Sequence, residues 1–389
     1  MVTMMQKAFP LGFGAAAALA ITLPTVAAAQ NTFGGQPVTL PAAVEVATPK
    51  KTSNLTVSAT GRTGTYRSIR QAVAAAEAGD TIRIETGEYN EPGLVLDKSL
   101  NIHGVRSGSL MPLIRVSQPG ASCMTQTSSN VTTSVSDVIL VASDSSSPCI
   151  NVTAGRFELA RSRVLEAQAD PLRAAGGHAG SYTGNLVPTS LVSISGGSVV
   201  LTGNEIRGGR NAIAVSQAAN LYNTDTVRLE GNTITGGDQH GVLVEGSANL
   251  LEISGNMITN NGQAGIYNDG NWNTRFVGNT ITGNRDDGIY VGENARHTTL
   301  ESNEISSNVG DGLEVHGGMI TILAGNNIAR GGDQRCAVRD GVTGNKGGGA
   351  IRAHTDIAQG IFNDTSGQTA YRGRTCDDNS RGRRGRRSR

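Results

Sequence analysis

One phrase recurs through the second half of the chain. The pattern G-N-x-I, or a close variant, places Asn204, Asn232, Asn256, Asn279, Asn303 and Asn326 at steps of 28, 24, 23, 24 and 23 residues. Upstream of each Asn lies an alternating pair such as Val227/Leu229, Leu251/Ile253 or Thr298/Leu300. Downstream comes G-[IVL]-x-V or a close variant: GVLV at Gly241, GIYN at Gly265, GIYV at Gly288, GLEV at Gly312. A unit of about 23 residues with three short β-like pieces, polar turns and no helical period cannot bury its apolar positions alone. Stacked on copies of itself, it can.

In such a stack, parallel strands pair coil to coil at about 4.8 Å and equal positions form columns. Ile206, Ile234, Ile258, Ile281, Ile305 and Ile328 make an inward aliphatic column, each member contributing about 1.5–3 kcal/mol on burial. The expected fold is all-β, a right-handed parallel β-helix. A leucine-rich repeat has a similar period, but its L-x-x-L-x-L signature is missing and no helical segment recurs. The Asn column reads as structure, since Asn tolerates left-handed backbone at a turn and stacked amides bond one another in a ladder. The glycine before each G-[IVL]-x-V strand reads as turn geometry. Arg228, Glu252 and Arg275 should form a surface ion ladder.

The ends are of a different kind. Residues 1–29 combine MVTMMQK, the apolar run AFPLGFGAAAALAITLPTVA and Ala27-Ala28-Ala29 before Gln30, which is the pattern of a secretory signal. Pro10 and Pro24 interrupt the run and weigh against a membrane anchor, so a secreted or periplasmic protein with no transmembrane segment is expected. Cys123, Cys149, Cys336 and Cys376 are an even set, suited to an oxidising compartment. Three pairings are open, and the local one, Cys123 with Cys149 and Cys336 with Cys376, is preferred because no C-x-x-C suggests metal or redox work. Each bridge should staple an irregular segment outside the regular repeats. The last nine residues hold six arginines; removing these and Lys7 from the formal +1 leaves the body at −6. The tail, 380–389, is expected to be disordered, either a tether to an anionic polymer or membrane surface or a solvated end without a role. The expected layout is a linker over 30–58, a β-helix over 59–355 with an N-terminal cap at 59–104 and regular coils at 191–328, and a C-terminal segment over 356–379.

Earlier sequence repeats more loosely. PCINV followed by FELARSRV forms one degenerate coil with Ser162 in the Asn position. Before it, SIRQAVAAAEAGDTIRIETGEYNEP opens with spacing that suits an amphipathic helix at about 68–78, placed to cover the open end of the stack. With LNIHGV, this stretch resembles the opening of the right-handed β-helix superfamily that includes pectate lyases, polygalacturonases, uronan epimerases and nitrous oxide reductase accessory proteins. The resemblance spans roughly 60–355 and implies the fold. It does not carry a chemistry over. In polygalacturonase-like enzymes an N-T-D, a D-D, a G-H-G and an R-x-K lie on successive coils; here only Asp286-Asp287 matches. The slot one coil earlier is Gln263-Ala264, one coil later it is Gly310-Asp311, and His240-Gly241 lies on the wrong side. The pectate lyase R-x-P-x-x-R and the epimerase D-P-H are absent, and Asp before Gly also suits a turn.

Columns say more than motifs. The slot before the glycine runs His240, Ala264, Asp287, Asp311; the outward strand slot runs Leu243, Tyr267, Tyr290, Glu314; the next runs Glu245, Asp269, Gly292, His316. Tyr267 and Tyr290 are adjacent although aromatic residues are only 4% of the chain, and a tyrosine ring with its polar tip suits a sugar. Asp287, Asp311 and His316 are the candidate catalytic residues; Tyr267, Tyr290, Glu314, His240 and Asp286 are candidate ligand contacts. Asp287 and Asp311, about one strand spacing apart, could hold calcium. The connection to the G-[IVL]-x-V strand swells at 165–190 and 329–349, which would wall a groove at both ends. Two functions remain open: binding of an envelope or extracellular polysaccharide, or a polysaccharide lyase, hydrolase or epimerase with an atypical acidic site. Binding is preferred because the columns supply acids but no Arg or Lys. Neutral or amino sugars suit such a groove better than uronates.

Overall fold

The computed structural model describes residues 53–142, 147–167, 190–216, 225–246, 250–270, 273–295, 297–316, 320–324, 326–328 and 351–354. They form a parallel β-solenoid with three sheets of 11, 10 and 10 strands. A representative coil runs through Leu250–Ser254 in sheet 1, turns at Asn256, continues through Met257–Thr259 in sheet 2, and reaches Ile266–Asn268 in sheet 3. Each strand pairs in parallel with its equivalent one coil on, as in Ile234↔Ile258↔Ile281↔Ile305↔Ile328. That aliphatic column lies where the repeat requires it, inside and almost wholly buried.

Pairing begins earlier than expected. Asn54–Val57, within the segment read as linker, is already the first strand of sheet 1. The one helix among the described residues, α1, spans Ile69–Ala75 and is capped by Ser68. It buries Ile69, Ala72 and Val73 and packs on the first strands of all three sheets. Glu91, itself buried, accepts from the Ser68 hydroxyl and from the backbone N–H of Ile69 and Arg70, so a carboxylate satisfies the helix's orphan donors.

The Asn column is a ladder. The Nδ2 of Asn256 donates to Oδ1 of Asn279 (3.0 Å) and to the Leu229 carbonyl (2.7 Å), while its own Oδ1 accepts from N and Nδ2 of Asn232. The same scheme runs from Ser162 through Asn204 to Asn326. The left-handed residue, however, is the one before the Asn: Gly203, Gly231, Gly255 and Gly278 have φ of 62–63°, with Arg161 and Ser302 in the same place. Asn is there for its amide, not its backbone. A second ladder, Asn261–Asn284–Asn308, lines the next corner.

Three further expectations change. Gly241, Gly265 and Gly288 are not left-handed turn residues. A Cβ at each would meet an Ile Cγ2, a ladder Asn Nδ2 and the next glycine's carbonyl, all under 3.0 Å, so close packing excludes a side chain. In the ion ladder, Arg228 meets Glu252 at 3.9 Å, but Arg275 pairs with Glu301 at 3.5 Å. The Cys123–Cys149 disulfide is present, yet it joins adjacent coils of sheet 3 within the core rather than an irregular segment. Cys336, Cys376, the signal segment and the basic tail lie outside the described residues.

Ile281→Asp should abolish soluble folding, because an unpaired carboxylate in the column costs several kcal/mol. Asn256→Ala should fold but lose about 2–4 kcal/mol, since it strands buried backbone groups on two coils. Chemical unfolding of both variants checks this; a cooperative, parent-like Ile281→Asp would contradict the register.

Candidate functional site

The corner between sheets 2 and 3, with the outward side of sheet 3, carries a cleft of about 670 Å³. Its wall follows from register. Leu243↔Tyr267↔Tyr290↔Glu314 are direct partners in sheet 3. The residue behind each strand, Ala212 or a glycine, bonds coil to coil, so the slot before it runs Asn211, His240, Ala264, Asp287, Asp311. One residue earlier, Arg210, Gln239, Gln263 and Asp286 form a third file.

The tyrosine rings stack on one another. Tyr267 and Tyr290 have centroids 4.5 Å apart and planes within 7°; His240 lies 4.7 Å from Tyr267 at 34°, and His316 ends the row 6.4 Å from Tyr290. The ring faces are therefore turned along the solenoid axis toward each other. What they offer outward is edges and hydroxyls, so a flat sugar platform is not the contact these rings can make.

At one end the acids converge. Asp287, Asp311 and Glu314 each bring an oxygen within 4.8 Å of the others, and the Asp311 N–H donates to Oδ1 of Asp287 at 2.6 Å. Burial first, then the Glu314 carboxylate and the charge on Asp286, push the Asp287 carboxyl up to about 9. Asp286, on the rim, is raised by partial burial and Glu314. At the other end burial, then Arg210, push His240 down to about 4, so its ring is neutral at pH 7. Its buried Nδ1 has no hydrogen-bond partner. Burial also raises the hydroxyls of Tyr267 and Tyr290, leaving both as neutral donors.

The structure thus brings together Asp286, Asp287, Asp311, Glu314, Tyr267, Tyr290 and His240. It leaves His316 apart: it closes the ring row and faces Glu293 at 3.9 Å, outside the cleft lining. Of its column, Glu245 reaches the cleft, whereas Asp269 turns to accept from Asn294 N and Nδ2. The three carboxylates Asp287, Asp311 and Glu314 are the set that could hold a hard cation, by oxygen donors and charge. Arg210 lines the cleft, which corrects the expectation of a site without a base. Its coil was hidden because Ala212 stands where the others carry glycine. Of the long connections proposed as walls at 165–190 and 329–349, residues 168–189 and 329–349 lie outside the described residues.

Between about pH 4, near the ordinary Asp value, and about pH 9, folded Asp287 holds a proton that the unfolded chain has lost. Stability attributable to this group must then fall as pH rises through that window. Asp287→Asn should flatten the fall in Tm between pH 5 and 9 and melt above the parent near the alkaline end. Parallel Tm curves for the two proteins would contradict the shift.

Residues 190–355 match the family model described as "Right handed beta helix region". No curated protein matches the sequence. Among solved structures, the A-module of the Azotobacter vinelandii mannuronan C-5 epimerase AlgE4 is similar with TM-score 0.52 and 15% identity, over 75% of this chain and 77% of that one. Pectate lyase Pel9A gives 0.40 and 12%, over 72% and 78%; the periplasmic alginate epimerase AlgG gives 0.38 and 14%, over 74% and 66%. Only the first carries an argument, and at that identity the argument concerns fold. The solenoid is a right-handed parallel β-helix.

Proposed function

We propose that this chain is an exported β-helix protein that binds a segment of polysaccharide, of the cell envelope or extracellular matrix, along the cleft beside sheet 3. The observation that carries this is the file of polar tips at a near-constant step: His240, Tyr267, Tyr290 and Glu314 occupy consecutive coils, with ring centroids 4.7 and 4.5 Å apart over the first two steps. A polymer bearing hydroxyls at regular intervals meets donors and acceptors at regular intervals. Contact is by hydrogen bonds from ring tips and carboxyls, since the ring faces are already spent. The orphaned Nδ1 of His240 is a buried acceptor or donor that a ligand hydroxyl would satisfy. The fold likeness to a mannuronan epimerase favours a polysaccharide ligand over other polymers. Export is supported by the N-terminal apolar run and by the Cys123–Cys149 bridge. Among the described residues, no helix is long and apolar enough to cross a membrane.

Catalysis is the second reading, and one observation favours it. A carboxylic acid that keeps its proton to about pH 9 beside other carboxylates has the asymmetry of an acid–base pair. Oxygens within 4.8 Å of one another also suit a shared proton or a bridging calcium ion.

A glycan-array screen of the protein beginning at Gln30, with and without calcium, followed by titration and a product assay on each hit, tests both. Asp287→Asn combined with Asp311→Asn should weaken the hit at least tenfold while keeping cooperative unfolding. Parent-like affinity in that variant would remove the acids from the site, and a released product would establish the catalytic reading.

A further inference from the structure

His316 closes the ring row but takes no part in the cleft lining, and its slot continues one coil further. The terminal strand of sheet 3, Ile351–His354, pairs residue for residue with Leu313–His316, so that His316 has His354 as its direct partner. Equal register in parallel strands puts the two positions on one face of the sheet, about 4.8 Å apart. Other histidines in the described strands have different partners: His103 lies between Arg83 and Ser136, and His297 beside Asn273. From the coil before, the Glu293 carboxylate stands 3.9 Å from Nε2 of His316. That distance exceeds a hydrogen bond and falls within the span of two metal–ligand bonds of about 2.0–2.2 Å each.

We propose that His316, His354 and Glu293 bind a divalent transition-metal ion of the zinc class, which fastens the terminal strand to the solenoid. The donor set selects the metal. Two imidazoles and one carboxylate suit zinc, nickel or copper and offer calcium too few oxygens, so this site differs in chemistry from the three carboxylates of the cleft. Three protein ligands leave a tetrahedral ion one further position, for water. The place gives the ion a task. Ile351–His354 is the edge strand of sheet 3, paired on one side only, and residues 329–350 separate it from the preceding strand, Asn327–Ile328. Closing a longer connection costs more entropy, and a strand of 4 residues has few ladder bonds with which to offset it. An ion ligated from both strands forms only when the last one is docked, so its binding energy becomes stability of the final coil. The same strand sets Arg352 beside Glu314, a residue of the cleft lining. An ion that fixes the strand therefore fixes that end of the cleft too, and it needs no glycan to bind.

The test is calorimetric titration of the whole, untagged and chelator-treated protein with zinc chloride near neutral pH, with cobalt(II) absorption and hydrogen exchange at residues 351–354 as further readings. One zinc ion per chain should bind with a dissociation constant below about 10 µM, and calcium in hundredfold excess should not displace it. Cobalt(II) in the same site should show the visible absorption of a four- or five-coordinate ion. His316→Ala and His354→Ala should each weaken zinc binding at least tenfold, and Glu293→Gln by less, while the metal-free proteins keep the parent's cooperative unfolding. Zinc should slow exchange at 351–354 at least tenfold in the parent and leave it unchanged in His316→Ala. Absence of zinc binding up to about 100 µM, or parent-like zinc affinity in His354→Ala, would overturn the site. So would zinc binding that Asp287→Asn abolishes, which would move the ion to the acids of the cleft. Zinc bound through both histidines with exchange at 351–354 unchanged would overturn the fastening.

Discussion

An asparagine amide buried at the corner of a coil has two donors and two acceptor sites to satisfy, and a lone coil offers too few partners. In this solenoid Asn256 meets them by reaching back to the Leu229 carbonyl, forward to Asn279, and by accepting from Asn232. Each such residue is satisfied only when the coils on both sides are in register. A one-residue slip would cost an aliphatic contact on every strand and an amide bond at every corner. Corner amides and the Ile column therefore impose the same alignment, and the left-handed residues before the Asn from Asn204 to Asn303, four glycines and Ser302, let the backbone turn while the amide points inward.

Equal stacking also makes the cleft. Residues in one slot of successive coils are brought side by side whatever their chemistry, so a site can be written as a column of substitutions on an unchanged frame. Tyr267 and Tyr290 stack face to face because their strands are direct partners. Asp287, Asp311 and Glu314 converge for the same reason, and burial, then the Glu314 carboxylate beside it, raises Asp287 far above an ordinary carboxyl. The frame opposes that shift in part: Oδ1 of Asp287 receives a backbone N–H from the next coil. Such crowding in a cleft is what the proposed ligand-binding reading rests on.

How much was legible before the structure depended on whether a feature repeats. The Ile column, the Asn ladder from Ser162 onward and the slots of Tyr267, Tyr290, Asp287 and Asp311 all follow from counting residues between like phrases, while the Cys123–Cys149 pairing follows only from choosing the local bridge. The ladder of Asn261, Asn284 and Asn308 has the same period and could have been found that way; it was masked by variable neighbours. Arg210 was missed because its coil carries Ala212 in the glycine column, so alignment on glycine passed it by. Ring orientation was not legible at all. Whether a tyrosine presents its face or its edge depends on the ring one coil away, and that is a matter of packing geometry rather than residue type. The role of Gly241, Gly265 and Gly288 was hidden likewise, since exclusion of a Cβ by an Ile methyl on a neighbouring coil leaves no local signal.

That one register builds both the fold and the cleft is the central claim, and a crystal structure of the protein with its tightest-binding glycan tests it most directly. The account places the sugar chain parallel to the solenoid axis, spanning consecutive coils from Arg210 to Glu314, with hydroxyls on the tips of His240, Tyr267 and Tyr290. Sugar density running along a single coil, stacked on an exposed ring face, or seated on sheet 1 or sheet 2 would contradict it.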